Sequence, residues 1–371
     1  MSIIQRYDFI VVGAGFAGVT MAEQIATRLN KKVLIIDRRK HIAGNMYDYV
    51  NEDGILVHRY GPHIFHTNSN HIFNYISQFT NWRNYHHRVL AYVDGRYIPF
   101  PINLDTVNDL FGYHFDIEQL ASYFNLVSAK GLIVRNSRDV IVSKVGEELY
   151  NKFFKNYTKK QWDLFPEELD PSGIGRIPMR LNRDDRYFSD VYQGIPKYGY
   201  TKLFETMLSG PNIHLMLGID YREIIDMIPF CHLIFTGPID EFYDYRFGPL
   251  PYRSLQFVYE TIDQPTYQMV GTVNYPNDYD FTRITEMKYL TGQNHPKTTI
   301  IFEFPTNDGD PYYPVPTQES KQIYEKYASL ANQEQHVTFL GRLGTYKYYN
   351  MDQVIGQALN IFEHDIYPKF S

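Results

Sequence analysis

The fold of this chain is decided by the stretch Tyr7-Asp8-Phe9-Ile10-Val11-Val12-Gly13-Ala14-Gly15-Phe16-Ala17-Gly18. The apolar, β-branched run up to Val12 is typical of a buried parallel strand, and a helix-period segment follows from about residue 19 to residue 29. A second buried run, Val33-Leu34-Ile35-Ile36, ends in Asp37. Strand, glycine turn, helix, strand and acid together predict the first βαβ unit of a Rossmann-like α/β domain.

Each part of this motif has a physical role. Gly13 permits the tight turn, Gly15 lets the backbone approach a pyrophosphate, and Gly18 lets the helix pack close to the strand. The helix N-terminus offers unpaired N–H groups to the phosphates. Asp37 can accept hydrogen bonds from the ribose hydroxyls of an adenosine. The motif therefore predicts a dinucleotide site, against the alternative of a glycine-rich turn that binds nothing.

The residues after Asp37 bear on which dinucleotide is bound. The basic stretch Arg38-Arg39-Lys40 runs into Gly44-Asn45, a pattern found in FAD proteins, and this pair can lie against the cofactor phosphates. The alternative for the three basic residues is a solvated charge run. We therefore predict FAD rather than NAD as the cofactor.

Composition excludes several classes of protein. The 371 residues predict two or three packed units, and the net charge of −6 argues against a general nucleic-acid binder. A single cysteine, Cys231, fits a reducing, cytoplasmic compartment. The sequence shows no secretory signal and no apolar run of about 18 residues, so we expect no membrane span. The aromatic content of 16% fits either a tyrosine-rich core or a cleft that stacks bases and sugars.

Two segments interrupt the dinucleotide fold. Residues 105–156 have a helical pattern, and residues 158–190 read as an arginine-dense loop. Residues 84–100 alternate around Asp94-Gly95, a hairpin signal, and residues 252–304 read as several strands. A final strand is expected at Phe339-Leu340-Gly341-Arg342, and a closing helix at residues 351–365. The pattern predicts a FAD-binding domain of residues 1–83, 205–241 and 330–371, a helical domain of residues 104–186, and an antiparallel β-sheet domain of residues 84–103, 187–204 and 242–329.

His63 and His66 lie three residues apart in a predicted loop. No nearby Cys, Asp or Glu completes a ligand set, so we expect no metal site. The functional interpretation is a polar loop beside the flavin ring. The alternative is a pair of structural histidines with satisfied hydrogen bonds.

Further along, ordered motifs resemble one family, the bacterial UDP-galactopyranose mutases, over nearly the whole chain. The carriers of the resemblance include Tyr60-Gly61-Pro62-His63-Ile64-Phe65-His66-Thr67, Tyr157-Thr158-Lys159-Lys160-Gln161-Trp162, Tyr187-Phe188-Ser189-Asp190, Tyr192-Gln193-Gly194-Ile195-Pro196, Thr236-Gly237-Pro238-Ile239-Asp240, Pro311-Tyr312-Tyr313-Pro314-Val315 and Gly341-Arg342-Leu343.

The resemblance implies a pyranose–furanose mutase that acts on a nucleotide-linked hexose. In this family reduced FAD forms an N5–sugar adduct and no net redox change results. The resemblance also implies a cytoplasmic homodimer whose product enters cell-surface polysaccharide synthesis. We therefore expect FAD as cofactor and a UDP- or dTDP-hexose as the small-molecule partner.

The resemblance assigns roles to individual positions. It implies that Arg176 and Arg283 clamp the diphosphate, Arg176 from a mobile loop, and we place His66 with them in the catalytic group. The expected substrate-binding residues are His87, Phe153, Tyr157, Thr158, Trp162, Arg180, Tyr187, Arg253, Asn274, Tyr313 and Tyr348. The expected cofactor-binding residues are Gly13, Gly15, Ala17, Gly18, Asp37, Gly44, Asn45, His63, Ile64, Arg342, Met351, Asp352, Gln353 and Val354.

The chain departs from the family pattern where the sugar is read. Pro62 stands where an alanine is usual, His87 where an asparagine is usual, and Asn350 where an aspartate is usual. The segment Asp163-Leu164-Phe165-Pro166 is also unlike the common form. We therefore leave the sugar open among UDP-galactose, UDP-N-acetylgalactosamine and a dTDP-linked 6-deoxy sugar.

Three rival functions stay open at this point. A redox flavoenzyme, oxidase or dehydrogenase, would oxidise its substrate and need an electron acceptor. An NAD-dependent sugar-nucleotide enzyme would purify without a yellow cofactor. A non-catalytic nucleotide-sugar binder would not need both candidate clamp arginines.

Overall fold

A five-stranded parallel sheet forms the centre of the fold. The computed structural model describes residues 6–129, 131–171 and 178–371. The two strands predicted around the glycine motif are confirmed, and residues 231–236 return to the same sheet as predicted. In spatial order the strands are Ile213–Leu217, Val33–Asp37, Phe9–Val12, His232–Phe235 and Val337–Phe339.

The glycine turn packs as the motif requires. Gly13 has a φ of +107°, and helix Phe16–Arg28 begins directly after Gly15. A Cβ added at Gly18 would lie 2.0 Å from the Gly13 carbonyl oxygen, so only glycine allows this approach of helix and strand. At Gly15 an added Cβ would meet no atom closer than 3.8 Å, which leaves open space in front of the helix N-terminus.

A helical insert follows the hairpin at Asp94-Gly95, as predicted. Asn103 and Asp116 cap two of its helices by accepting hydrogen bonds from Thr106 N and Gln119 N, at 2.9 and 2.8 Å. The helices are Leu104–Phe111, Ile117–Val127, Ser137–Leu149, the π-helix Tyr150–Lys155 and Asn156–Trp162.

The expectation of a loop from residue 158 is wrong for its first part. The helix continues to Trp162, and Asp163 ends it with a left-handed φ of +57°. The guanidinium of Arg253 donates to the carbonyl oxygens of Lys160 and Gln161, so the last turn is satisfied from outside the helix.

The second large sheet has seven strands. Its hairpin turns at Asp94-Gly95, where both residues have positive φ. The expected antiparallel sheet needs one correction, because Thr272–Asn274 pairs in parallel with Val89–Val93. In order the strands are Tyr313–Pro314, Tyr252–Ile262, Thr298–Thr306, Arg283–Glu286, Thr272–Asn274, Val89–Val93 and Arg96–Phe100.

Smaller elements join the two large sheets. The small sheets pair Asp48–Val50 with Leu56–His58, and Tyr192–Pro196 with both Phe65–Thr67 and Trp82–Asn84. The remaining longer helices are Asn70–Ile76, Tyr200–Met207, Gln318–Ala331 and Met351–Ile361, the last continued by Phe362–Ile366 and Tyr367–Phe370. In the part of the chain that the structure describes, no helix has the length and apolar character that crossing a bilayer requires.

The predicted strand at Phe339-Leu340-Gly341-Arg342 is displaced. The strand is Val337–Phe339, and Gly341–Gly344 forms a helical turn. Gly341 has a φ of +83°, and a Cβ there would lie 2.9 Å from the Ala17 Cβ. At Gly341 the chain comes so close to the first helix that a side chain would not fit, and glycine allows the turn there.

Candidate active site

A first cavity lies at the carboxyl ends of the parallel strands, where open α/β sheets bind their ligands. It collects most of the predicted cofactor residues from both ends of the chain. Its lining includes Gly13, Gly15, Ala17, Asp37, Gly44, Asn45, His63, Arg342, Met351 and Val354. We call this cavity the dinucleotide pocket.

Asp37 has a structural role in this pocket that the motif alone does not show. Its Oδ2 accepts a hydrogen bond from Ala14 N, and its Oδ1 accepts one from Arg39 N, each at 2.8 Å. The carboxylate therefore fixes the glycine turn and still has lone pairs for the hydroxyls of a ribose.

The residues around the pocket fit a dinucleotide such as FAD. The first helix begins at Phe16 without a side-chain cap, so its N-terminal N–H groups remain available to a pyrophosphate. Gly44, with a φ of +53°, approaches Gly15 so closely that a Cβ would lie 2.9 Å from the Gly15 Cα. Arg39 is held beside the pocket by Asp310 Oδ2 at 2.8 Å and by Asn45 Oδ1 at 2.9 Å.

A second cavity of about 700 Å³ opens directly on the dinucleotide pocket. Of the predicted catalytic and substrate residues, its lining includes His66, His87, Phe153, Tyr157, Thr158, Trp162, Tyr187, Asn274, Arg283, Tyr313 and Tyr348. Five residues line both cavities: Asn45, His63, Tyr312, Arg342 and Met351. We call this second cavity the cleft.

Two of the predicted arginines, Arg180 and Arg253, do not line the cleft. Arg176 lies outside the described residues. Arg180 donates through Nη1 to the carbonyl oxygens of Asp184 and Arg186, so it supports the turn before Tyr187. Arg253 is buried away from the cleft, and its Nε donates to a carbonyl oxygen at the end of helix Asn156–Trp162.

Arg283 lines the cleft and is paired with a buried carboxylate, that of Glu303. Its Nη2 donates to Glu303 Oε1 at 2.8 Å, and Glu303 is only 2% exposed. Burial by itself would lower the pKa of Arg283, but Glu303, together with the smaller contributions of Tyr157, Tyr313 and Tyr187, raises it. The buried Nε–H has no acceptor among the residues that the structure describes, so an oxygen of a bound ligand can satisfy it.

Two histidines of the cleft are held neutral. Burial, assisted by the nearby charge of Arg283, lowers the pKa of His87 to about 3. Burial likewise lowers the pKa of His63 to about 3. His63 lines both cavities, and its Nδ1 donates to the Gly61 carbonyl oxygen at 2.9 Å, so its Nε2 is an acceptor.

Aromatic rings form another part of the lining of the cleft. The Trp162 ring lies 6.1 Å from the Tyr313 ring and 6.3 Å from the Tyr348 ring, centroid to centroid. Arg342 lies over both tyrosines, and it donates to the carbonyl oxygens of Tyr312 and Tyr349 at 3.0 and 2.7 Å. Burial raises the pKa of Tyr313, so its hydroxyl stays protonated and can donate to a phosphate or a sugar.

Helix Met351–Ile361 directs its N-terminus at the junction of the two cavities. Met351 lines both, and Gln353 Oε1 accepts a hydrogen bond from Asn350 N at 2.9 Å. Three predicted cofactor residues, Ile64, Asp352 and Gln353, line the cleft and not the dinucleotide pocket.

Sequence reasoning missed some residues of the site. Thr236 lines the dinucleotide pocket, and its Oγ1 donates to the Val12 carbonyl oxygen at 2.7 Å. Phe188 and Asp190 line the cleft beside His66. The position of Thr236 at the end of a predicted parallel strand was a usable signal, because such strand ends share one edge. Among residues 6–129, 131–171 and 178–371, no group of three or more His, Cys, Asp or Glu side chains could hold a metal ion.

The fold and the two joined cavities define a dinucleotide-binding protein whose cofactor pocket opens on a separate, polar and aromatic cleft. Comparison with known families gives the same division. Residues 11–79 match the NAD(P)-binding Rossmann-like domain, and residues 152–348 match the UDP-galactopyranose mutase family.

Individual relatives extend over almost the whole chain. A Klebsiella pneumoniae protein named "Probable UDP-galactopyranose mutase" is 40% identical and covers 95% of this chain and 93% of its own length. The dTDP-fucopyranose mutase of Escherichia coli is 38% identical, with coverage of 94% and 96%. A crystal structure of reduced UDP-galactopyranose mutase matches with a TM-score of 0.77 at 15% identity, over 98% of this chain and 95% of that one, which shows the fold alone.

The chain belongs to the UDP-galactopyranose mutase family. Membership of the family confirms three predictions: a Rossmann-like α/β fold, FAD as the cofactor, and the activity of a nucleotide-sugar mutase, which is an isomerase.

Proposed function

We propose that this enzyme interconverts the pyranose and furanose forms of UDP-galactose or dTDP-fucose. The observation that carries the proposal is the junction of the two cavities, where Asn45, His63, Tyr312, Arg342 and Met351 line both. A cofactor held in the dinucleotide pocket would face, across these five residues, a sugar held in the cleft.

The roles of the individual residues form part of this proposal. Loss of the diphosphate from the anomeric carbon requires fixed cations, and Arg283 offers a guanidinium whose buried Nε–H is a spare donor. We assign Arg176 to the same clamp. Tyr157 and Tyr187, whose pKa values burial raises, supply neutral hydroxyl donors, and Trp162 packs beside the nucleotide. When bound and reduced, FAD supplies the electron-rich centre that replaces the diphosphate at the anomeric carbon, with no net redox change.

The choice of sugar rests on the part of the cleft around His87. This neutral ring lies edge-on to Tyr187, with centroids 5.7 Å apart, and its Nδ1 shares a hydrogen bond with the Tyr85 hydroxyl at 3.1 Å. The relatives named above carry the names of mutases for two different sugars at nearly equal identity, so identity alone does not select the substrate.

The test is product analysis with the dithionite-reduced protein. UDP-galactopyranose, dTDP-fucopyranose and UDP-N-acetylgalactosamine are each incubated with it, and the sugar ring form is read by NMR. We expect a furanose product from one of the first two and no reductant consumed per turnover. Stoichiometric oxidation of the sugar, with no furanose formed, would instead identify a redox flavoenzyme.

We also infer a cytoplasmic homodimer that supplies cell-surface polysaccharide synthesis. The helical insert supports the dimer, because it exposes the apolar side chains of Ile117, Leu126, Ile133 and Val134. Sedimentation velocity checks it: the protein should sediment as a dimer, and Leu126→Asp should shift it toward the monomer. The division into three discontinuous domains stays a proposal, which limited proteolysis between residues 83 and 104 can test.

A further inference from the structure

His66 is the one cleft histidine among the described residues that is paired with a carboxylate. Its Nδ1 donates to Asp190 Oδ2 at 2.9 Å, and both residues line the cleft. The His66 side chain is 13% exposed and the Asp190 side chain 20%, so the pair is mostly shielded from solvent. Since Nδ1 carries the proton in this hydrogen bond, Nε2 is the nitrogen that can accept one.

The ring of His66 is fixed in its plane as well as in its tautomer. It stacks on Phe188 with centroids 3.8 Å apart and an interplanar angle of 15°. Two separate constraints therefore set the imidazole: stacking determines the plane, and the carboxylate determines which nitrogen faces it. Such a supported orientation is what a reacting group needs and what a space-filling histidine does not.

The carboxylate is held in its turn. Asn68 Nδ2 donates to Asp190 Oδ1 at 2.8 Å, and Asn68 Oδ1 accepts from Val191 N at 2.9 Å. Gln193, which lies opposite His66 in the small sheet, donates through Nε2 to the carbonyl oxygens of Phe188 and Asp190, at 3.3 and 2.8 Å. The turn that carries both partners of His66 is thus fixed by Gln193 of strand Tyr192–Pro196 and by Asn68, which directly follows strand Phe65–Thr67.

The proposed reaction needs a group of this kind. In the pyranose the C5 oxygen closes the ring on C1, and in the furanose the C4 oxygen does so. The C1–O5 bond breaks and the C1–O4 bond forms, while one proton leaves the C4 hydroxyl and one reaches the C5 oxygen. No proton is gained or lost overall, so a single imidazole that accepts one proton and returns it is sufficient.

We propose that His66 carries this proton through Nε2 and that Asp190 is its positioning residue, an assignment that rests on the proposed function. The carboxylate keeps Nδ1 protonated, aims Nε2 at the cleft and stabilises the imidazolium while the proton is held. His63 and His87 do not suit this role, because burial keeps both pKa values near 3 and the rings neutral.

The test compares Asp190→Asn, His66→Phe and the double variant with the wild type, using reduced protein and whichever of UDP-galactopyranose and dTDP-fucopyranose the wild type converts. An amide at position 190 keeps the size of the side chain but no longer requires a proton on Nδ1. We expect kcat to fall by about tenfold or more in each single variant, while KM and the affinity for the nucleoside diphosphate stay within about twofold. The double variant should be no slower than His66→Phe, because Asp190 acts only through His66.

Asp185→Asn is the matched control, since Asp185 lies on the same segment, pairs with Arg88 at the surface and does not line the cleft. It should turn over like the wild type. Wild-type kcat in Asp190→Asn, or single losses that multiply in the double variant, would overturn the assignment. If the wild type forms no furanose from either sugar, the proposed function itself fails, and the two failures are thereby distinct.

Discussion

The dinucleotide pocket and the cleft are adjacent but are built from different material. The pocket depends on backbone positions that tolerate only glycine, such as Gly13 and Gly18, where an added Cβ would meet another atom at 2.0 Å. The cleft depends on side chains such as His87, Trp162 and Arg283, which come from separate elements of the fold. Substitutions at glycines that shape a backbone site disturb the fold itself. Substitutions at side chains that line a cleft can change which ligand binds while the fold is kept. This division fits the finding that relatives named for two different sugars match this chain at 40% and 38% identity.

Gly18→Ala should have the largest effect, and it should act on the pocket alone. The new Cβ would lie 2.0 Å from the Gly13 carbonyl oxygen, so the first helix must move away from the turn that faces the pyrophosphate. We expect a protein that purifies without a yellow cofactor and does not take up added FAD, as followed by flavin fluorescence. Gly210→Ala, where the added Cβ would have only an ordinary contact with Ile213 Cδ1 at 3.7 Å, is the control and should keep its flavin.

Arg283→Ala should remove turnover and leave the flavin in place. One lost transition-state donor costs about 10²–10³-fold in kcat. Because the change leaves Glu303 buried without its partner, the double variant Arg283→Ala/Glu303→Gln separates lost catalysis from lost stability. Arg88→Ala, at an exposed ion pair, should be neutral. Turnover within a few-fold of wild type in Arg283→Ala would exclude Arg283 from the clamp.

The buried histidines of the site should make the protein sensitive to acid. The folded-state pKa of His87 is lowered to about 3, so the unfolded chain, with its ordinary pKa near 6.5, binds the proton more readily. His87 therefore adds no instability above about pH 6.5, and the free energy of unfolding falls progressively as the pH drops from there toward 3. Between pH 7 and pH 5 its share of the fall is about 2 kcal/mol.

Urea denaturation of His87→Asn at the two pH values measures that share. The variant should lose about 2 kcal/mol less than the wild type between pH 7 and pH 5. His86→Asn, at the exposed neighbouring position, should keep the wild-type dependence. Equal losses in His87→Asn and the wild type would show that His87 is not held neutral.

Trp162→Ala should have the smallest effect of the four. It removes the ring that packs on Tyr313 and Tyr348, and an aromatic contact of this kind contributes about 1 kcal/mol. We expect KM for the nucleotide sugar to rise by about fivefold with little change in kcat, and flavin binding to be unaffected. The second tryptophan, Trp82, does not line the cleft, so Trp82→Phe should leave KM unchanged.

The pocket could be predicted from sequence because its information is local. Strand, glycine turn, helix and Asp37 follow one another within about thirty residues, and each has a known spacing. Even so, the sequence did not show that Asp37 also holds Ala14 N, because that bond depends on the final path of the turn.

The cleft could not be derived from spacing, and its residues were found only through the resemblance. His66 and Asp190 are 124 residues apart, and nothing local indicates that they meet. Arg253 shows the opposite error. The resemblance placed it among the substrate-binding residues, but the strand that carries it directs donors at the end of a helix. An arginine's partner depends on tertiary packing, which composition and periodicity do not encode.

The discontinuous pocket also sets a time order for cofactor uptake during protein synthesis. Gly341, Arg342, Met351 and Val354 complete a cavity that begins with Gly13 and Gly15. A nascent chain still on the ribosome, with these late residues unmade or within the exit tunnel, has the glycine turn but not the rest of the pocket. We therefore expect flavin to enter after translation has passed residue 354, as a ligand of the nearly finished molecule rather than as a template for its folding.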